Sequence, residues 1–223
     1  MSKRILLFIG FLSTGWLIPV QAEELSLLTF AMGGGVSAPL NPTARFVGVS
    51  GNFITSAGVN INGRNSIEGT FMWSGLPPDL TVLHPVLLPH GSMNLYSLTG
   101  NYRYHIDSIR GSVFGAYIIG GGGWYYRHFS VSRDFVVPPG TVCQPVYFWW
   151  GFGCDANGFV FSAEVASGGV SAGGLNAGLG FTVKLGSKGW KFFTESRYVY
   201  AWNKGLAHIP VTLIPVTFGL RFN

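Results

Sequence analysis

The sequence predicts an all-β fold: an eight-stranded antiparallel transmembrane β-barrel, preceded by a cleaved signal peptide. Three observations lead there. Segment after segment alternates apolar and polar residues with a period of two. Only 10% of the 223 residues are charged while 48% are hydrophobic, whereas soluble domains carry charge on about a quarter of their residues. And the links between alternating segments are short and long by turns. The formal charge is +5, of which Lys3 and Arg4 in the leader supply two. The mild excess that remains, with no Lys/Arg cluster, gives no reason to expect a nucleic-acid partner.

The first segment reads "MSKRILLFIGFLSTGWLIPVQAEE". Lys3 and Arg4 precede an apolar run from Ile5 to Ile18, Pro19 breaks the run, and Val20-Gln21-Ala22 offers a small-x-Ala cleavage pattern. These are the parts of a secretory signal peptide. The run falls short of the roughly 20 apolar residues a membrane helix needs. Cleavage is expected between Ala22 and Glu23, giving a signal peptide over 1–22 and a barrel over 23–223.

The strands follow in order. "LLTFAMGGGVS" opens the barrel. In "NFITSAGVNIN", Phe53, Thr55, Ala57, Val59 and Ile61 share a face. In "SIEGTFMWSG", Ile67, Gly69, Phe71 and Trp73 alternate with Glu68, Thr70, Met72 and Ser74. In "SLTGNYRYHI", Leu98, Tyr102 and Tyr104 oppose Thr99, Asn101, Arg103 and His105. "VFGAYIIGGGGWYYRHFS" is a fifth strand, but Gly120 to Gly123 leave its phase open. In "LNAGLGFTVKL", Leu175 to Leu185 on the odd beat oppose Asn176, Thr182 and Lys184. In "FFTESRYVYAW", Tyr198 and Tyr200 oppose Phe193, Glu195, Arg197 and Val199. The last strand sets Val216, Phe218, Leu220 and Phe222 against Thr217, Gly219 and Arg221. A period of two gives a strand two distinct faces.

Tight links fall at Asn62 to Asn65, Asp107 to Gly111 and Gly186 to Gly189. Longer ones run over Pro39 to Gly51, Leu76 to Met93, Asp134 to Val160 and Asn203 to His208. Short periplasmic turns and long external loops mark outer-membrane barrels, and an even strand number puts both termini in the periplasm. The charged face carries Glu68, Arg103, His105, Lys184, Glu195, Arg197 and Arg221. Facing lipid at mid-membrane, an Arg or Lys costs about 2–4 kcal/mol, so this face belongs inside and the aromatic-rich face outside.

The ending "TFGLRFN" resembles the C-terminal recognition signal of outer-membrane barrels, with Asn223 following the usual terminal aromatic. With "GGGVSAP", "FFTESRYVY" and "IPVTFGLRF", it makes the chain similar to the small OmpA-like outer-membrane β-barrel family over Glu23 to Asn223, as a barrel-only form without that family's peptidoglycan-binding domain. The resemblance implies an integral protein of a Gram-negative outer membrane. It would be inserted by the barrel-assembly machinery through its last strand and surrounded by outer-membrane lipids and lipopolysaccharide. It implies variable loops on a stable anchor and no shared activity.

Few residues suggest chemistry. Cys143 and Cys154, in the longest link, favour a disulfide in an exported chain. Free thiols and a metal site are the alternatives, and neither Cys-x-x-Cys nor a nearby His supports a metal. Tyr147, Phe148, Trp149, Trp150 and Phe152 between them pack on the loop, enter the outer leaflet or meet a partner. His128-Phe129-Ser130 is similar to the His-x-Ser of eight-stranded outer-membrane lipid A deacylases. A His can activate a Ser when a carboxylate orients it, but only Asp134 is near and Glu164 lies beyond the loop. Arg127 and Arg133 suggest instead a basic rim for lipopolysaccharide phosphates.

Glu68, Arg103, Glu195, Arg197 and Arg221 read as a lumen charge network. Glu195 and Arg197, two apart on one strand, are expected not to pair without a neighbour, and Arg221 is the candidate partner of Glu195. The glycine runs lack the Lys and the helix of a phosphate loop, and no cofactor or metal is expected. The function expected is structural or surface interaction without catalysis. The alternatives are a narrow small-solute channel and, more remotely, a lipid A-modifying enzyme using His128 and Ser130.

Overall fold

A computed structural model of the protein describes residues 27–79, 90–106, 113–137, 144–148, 151–155, 159–186, 189–202 and 209–222. Its strands are β1 (Leu28–Pro39), β2 (Ser50–Asn60), β3 (Asn65–Gly75), β4 (His90–His105), β5 (Phe114–Val137), β6 (Gln144–Phe148), β7 (Gly151–Asp155), β8 (Phe159–Leu185), β9 (Trp190–Ala201) and β10 (Val211–Phe222). Eight of them close an antiparallel barrel in the order β1-β10-β9-β8-β5-β4-β3-β2, while β6 and β7 form a separate hairpin. The last strand closes the wall on the first, from Phe30 opposite Phe222 to Pro39 opposite Leu213. The signal-peptide region, 1–22, lies outside the described residues.

The alternation sets two surfaces. Leu179 and Phe181 on the outside of β8 are each 54% exposed, and Phe30, Met32, Leu98, Ile118 and Phe218 stand out in the same way. On the inner beat Glu68 is 1% exposed and Arg197 5%. The wall is therefore apolar outside and holds its buried charges inside, the reverse of a water-soluble barrel.

The structure resolves the phase of β5. Tyr117, Ile119 and Tyr125 are buried on the inner beat, while Phe114, Ile118 and Trp124 are exposed. It also extends the strands beyond the expected links. β5 has 24 residues and β8 has 27, against the roughly 9–11 that cross a bilayer. They stay paired from Phe114 opposite Val183 to Val137 opposite Phe159. β4 begins at His90, inside the link expected over Leu76 to Met93. The longest link holds the β6–β7 hairpin, with Gln144 opposite Asp155 and Cys154 opposite Pro145. Cys143 lies outside the described residues, as do the side chains of Cys154 and the intervening aromatics.

Small residues let so narrow a wall curve. A Cβ on Gly33, Gly58, Gly121, Gly178 or Gly219 would collide with backbone of the adjoining strand. On β8 the space left by glycine is filled by β5 aromatics: a side chain at Gly180 would strike the Tyr117 ring, and one at Gly174 the Tyr125 ring. The short turns have local causes too. Asn62 Oδ1 accepts the backbone N–H groups of Arg64 (2.9 Å) and Asn65 (2.8 Å), an Asx-type closure. Gly186 and Gly189 take φ of 71° and 76°, a region glycine enters without steric cost.

Candidate functional site: the filled lumen

The lumen is stratified along its axis. At the long-link end it is apolar: Ile54, Met72, Leu76, Leu95, Tyr125, Val199 and Leu213 are buried in one cluster with Val47. Val47 comes from the first long link, which folds across this end through a short 3-10 turn at Thr43–Arg45. Thr43 Oγ1 accepts from the Thr212 N–H at 2.8 Å. The neighbouring link is tied in by Gly48 N–H to Pro77 O (2.8 Å) and Asp79 N–H to Phe46 O (2.7 Å). Below this cap lies a polar layer in which Asn101 Nδ2 donates to Thr70 Oγ1 (2.9 Å) and Thr99 Oγ1 (3.0 Å).

The five charged residues singled out in the sequence meet in the next layer. Each comes from the inner beat of its strand: Glu68 from β3, Arg103 from β4, Glu195 and Arg197 from β9, Arg221 from β10. Glu68 is the hub. Its Oε1 accepts from Arg103 Nη2 at 2.6 Å, its Oε2 accepts from Arg221 Nη1 at 3.1 Å, and Arg197 Nη2 stands 3.6 Å from Oε1. Glu195 accepts from Arg197 Nε at 2.5 Å and from the Tyr117 hydroxyl at 2.8 Å, with Arg103 Nη2 at 3.7 Å. The Arg103 guanidinium lies over the Tyr117 ring, 4.5 Å from its centroid, and that of Arg221 is 5.4 Å from the Phe193 ring. Charges so deeply buried persist only when paired and hydrogen-bonded.

Two sequence expectations about partners are overturned. Arg221 does not pair with Glu195: register sets it opposite Lys191, with Thr217 opposite Glu195, and its guanidinium reaches Glu68. Glu195 and Arg197 do pair directly, because the Arg side chain is long enough to fold back along its own strand. Tyr117, the third contact in the Glu195 cluster, was hidden in the sequence by the glycine run that obscured the phase of β5.

The enzyme-like residues are arranged otherwise. His128 lies on the outer beat of β5, stacked on Tyr126 with centroids 6.4 Å apart, and Tyr126 stacks in turn on Trp124 at 5.7 Å. Ser130 shares a hydrogen bond of 2.9 Å with Ser92 across β4. Glu164 is exposed and opposite Ser132, at a bulge in the β5–β8 ladder. The Asp134 side chain is outside the described residues. The expected basic rim also divides. Arg127 takes the inner beat, over a recess lined by Leu95, Tyr125, Val170 and Val211, so it points away from the face that bears His128. Arg133, past the bulge, is exposed. Among the described residues no group of three or more His, Cys, Asp or Glu could hold a metal.

Comparison with solved structures finds small outer-membrane barrels. Neisserial surface protein A matches at 14% identity, covering 87% of this chain and 95% of that one, with a TM-score of 0.48. The attachment invasion locus protein Ail of Yersinia pestis matches at 15% identity over 87% and 96% of the two chains, with a TM-score of 0.42. The N-terminal β-barrel domain of Pseudomonas aeruginosa OprF matches at 12% identity over 88% and 96%, with a TM-score of 0.43. No protein-family model matches the chain, and no curated protein does. At these identities and TM-scores the likenesses carry no functional argument.

Proposed function

We propose that this protein spans a bacterial outer membrane as a sealed barrel that anchors external loops, with a structural or surface-interaction role and no catalysis. The observation that carries this reading is the filling of the lumen. Arg103, Glu68, Tyr117, Tyr125, Phe193, Leu95 and Leu213 are each no more than 2% exposed, so an ionic layer and an apolar layer lie in series. An eight-stranded barrel is just wide enough for side chains to fill. With the interior closed, what varies functionally lies at the ends, where β5 and β8 rise past β9 and carry the β6–β7 hairpin. β1 begins at Leu28 and β10 ends at Phe222 on the end that bears the short turns, and in this reading that end faces the periplasm. The disulfide between Cys143 and Cys154 would brace the hairpin region, and Arg133 is the remaining candidate for contact with lipopolysaccharide phosphates.

The channel alternative is separated by conductance. Purified protein in planar bilayers is expected to give no stable unitary steps in 1 M KCl. Steps of constant size, reduced by substitutions at Glu68 or Arg197, would establish a pore and remove the sealed-anchor reading.

A further inference from the structure

At its short-turn end the lumen gathers positive charge that the described residues do not balance. Lys184 of β8 and Lys191 of β9 both lie on the inner beat and sit directly opposite each other. Like charges in that relation destabilise a sheet. Lys191 is in turn opposite Arg221, and on the far side of the wall Ser66 is opposite Arg103. The two lumen carboxylates, Glu68 and Glu195, are already held by three arginines. His105 adds a further nitrogen base at this mouth, its ring 5.8 Å from that of Tyr117.

A second observation lies in the same region. Arg103 Nε, Arg221 Nε, Ser66 Oγ and Thr29 Oγ1 are buried without a hydrogen-bond partner among the described residues, and their residues are no more than 3% exposed. Buried polar atoms are ordinarily paired. All four of these can donate. Lys184 is exposed and Lys191 half-buried, and two lysines in register at the mouth, with unsatisfied donors buried at the same end of the lumen, form an environment complementary to an oxygen-rich anion.

We propose that the short-turn mouth of the barrel binds a phosphate-type oxyanion between Lys184 and Lys191. The phosphate is carried either by a soluble molecule or by a lipid headgroup. Occupancy neutralises the lysine pair, so the anion stabilises the barrel from this end. The site does not depend on which side of the membrane the mouth faces.

The test uses the full folded protein and the Lys184→Gln/Lys191→Gln double variant, neither of which alters the Glu68 hub. In an uncharged, phosphate-free detergent, sodium phosphate is titrated at constant ionic strength and the urea midpoint is read. The wild type is expected to gain stability in a saturating manner. The double variant is expected to start above the wild type in the absence of phosphate, because the repulsion is gone, and to bind phosphate at least about tenfold more weakly. A parallel arm compares nanodiscs of phosphatidylglycerol with nanodiscs of digalactosyldiacylglycerol, a neutral lipid that carries no phosphate, without added phosphate. A wild-type gain confined to phosphatidylglycerol, absent from the double variant, identifies the headgroup as the source. A gain in detergent identifies a soluble one. A wild-type midpoint that stays constant across the phosphate titration and is equal in both nanodiscs overturns the proposal, as does a double variant that responds like the wild type.

Discussion

Glu68 shows how much depends on one side chain. It is fully buried and meets three guanidinium groups within 3.6 Å, whereas Glu195 meets two and a tyrosine hydroxyl. Removing one partner of a buried ion pair leaves uncompensated charge, at a cost of about 3–5 kcal/mol. Glu68→Gln is therefore expected to lower the unfolding free energy of the detergent-folded protein, read from its urea transition, by that order, and by more than Glu195→Gln does. Equal midpoints for Glu68→Gln and wild type would mean that water already screens the site. The membership of this cluster was legible in the sequence, because every member is charged and on the polar beat of its strand. Its pairing was not. Pairing depends on register and on barrel stagger, which bring Glu68 of β3 within reach of Arg221 of β10 across the lumen, and neither is written in the alternation.

At the scale of the element, β5 and β8 differ most from what periodicity conveys. Gly120 to Gly123 erase the beat in the middle of β5, so the sequence alone left Tyr117 and Tyr125 without an assigned face. Inside the barrel those rings lie where β8 has glycine, and the two strands fit as large against small. Gly180→Val is expected to destabilise the barrel by about 1–3 kcal/mol, the usual cost of overpacking, since its Cβ would meet the Tyr117 ring. Ala177→Val, on the exposed beat of the same strand, is expected to leave the unfolding midpoint unchanged. Comparable losses from both would show that β8 tolerates no added bulk on either face, and that the aromatic–glycine fit is not the cause. The upper reaches of these strands were also hidden. Pro138, Pro139 and the crowded aromatics after Cys143 read as an irregular link, although the ladder continues to Val137 opposite Phe159.

For the whole molecule, strand number, closure of the last strand on the first and the choice of inner face could all be read from the sequence. Strand number follows from the count of alternating segments, closure from the need to pair every strand edge in lipid, and the inner face from the cost of exposing charge to hydrocarbon. The layering of the lumen could not be read, because its apolar cap uses residues such as Ile54, Met72 and Leu95 that sit on the polar beat. The central claim is that the wall is apolar to lipid on one side and closed to water on the other. Spin labels on single cysteines along β8, in a Cys143→Ser/Cys154→Ser background reconstituted in bilayers, test both halves together. Labels at Leu175 and Leu179 are expected to collide freely with oxygen and little with a water-soluble nickel chelate, while labels at Asn176 and Thr182 are expected to be shielded from both. Strong nickel collisions at Asn176 and Thr182 would reveal a hydrated pore, and strong nickel collisions at Leu175 and Leu179 would contradict the membrane-facing wall itself.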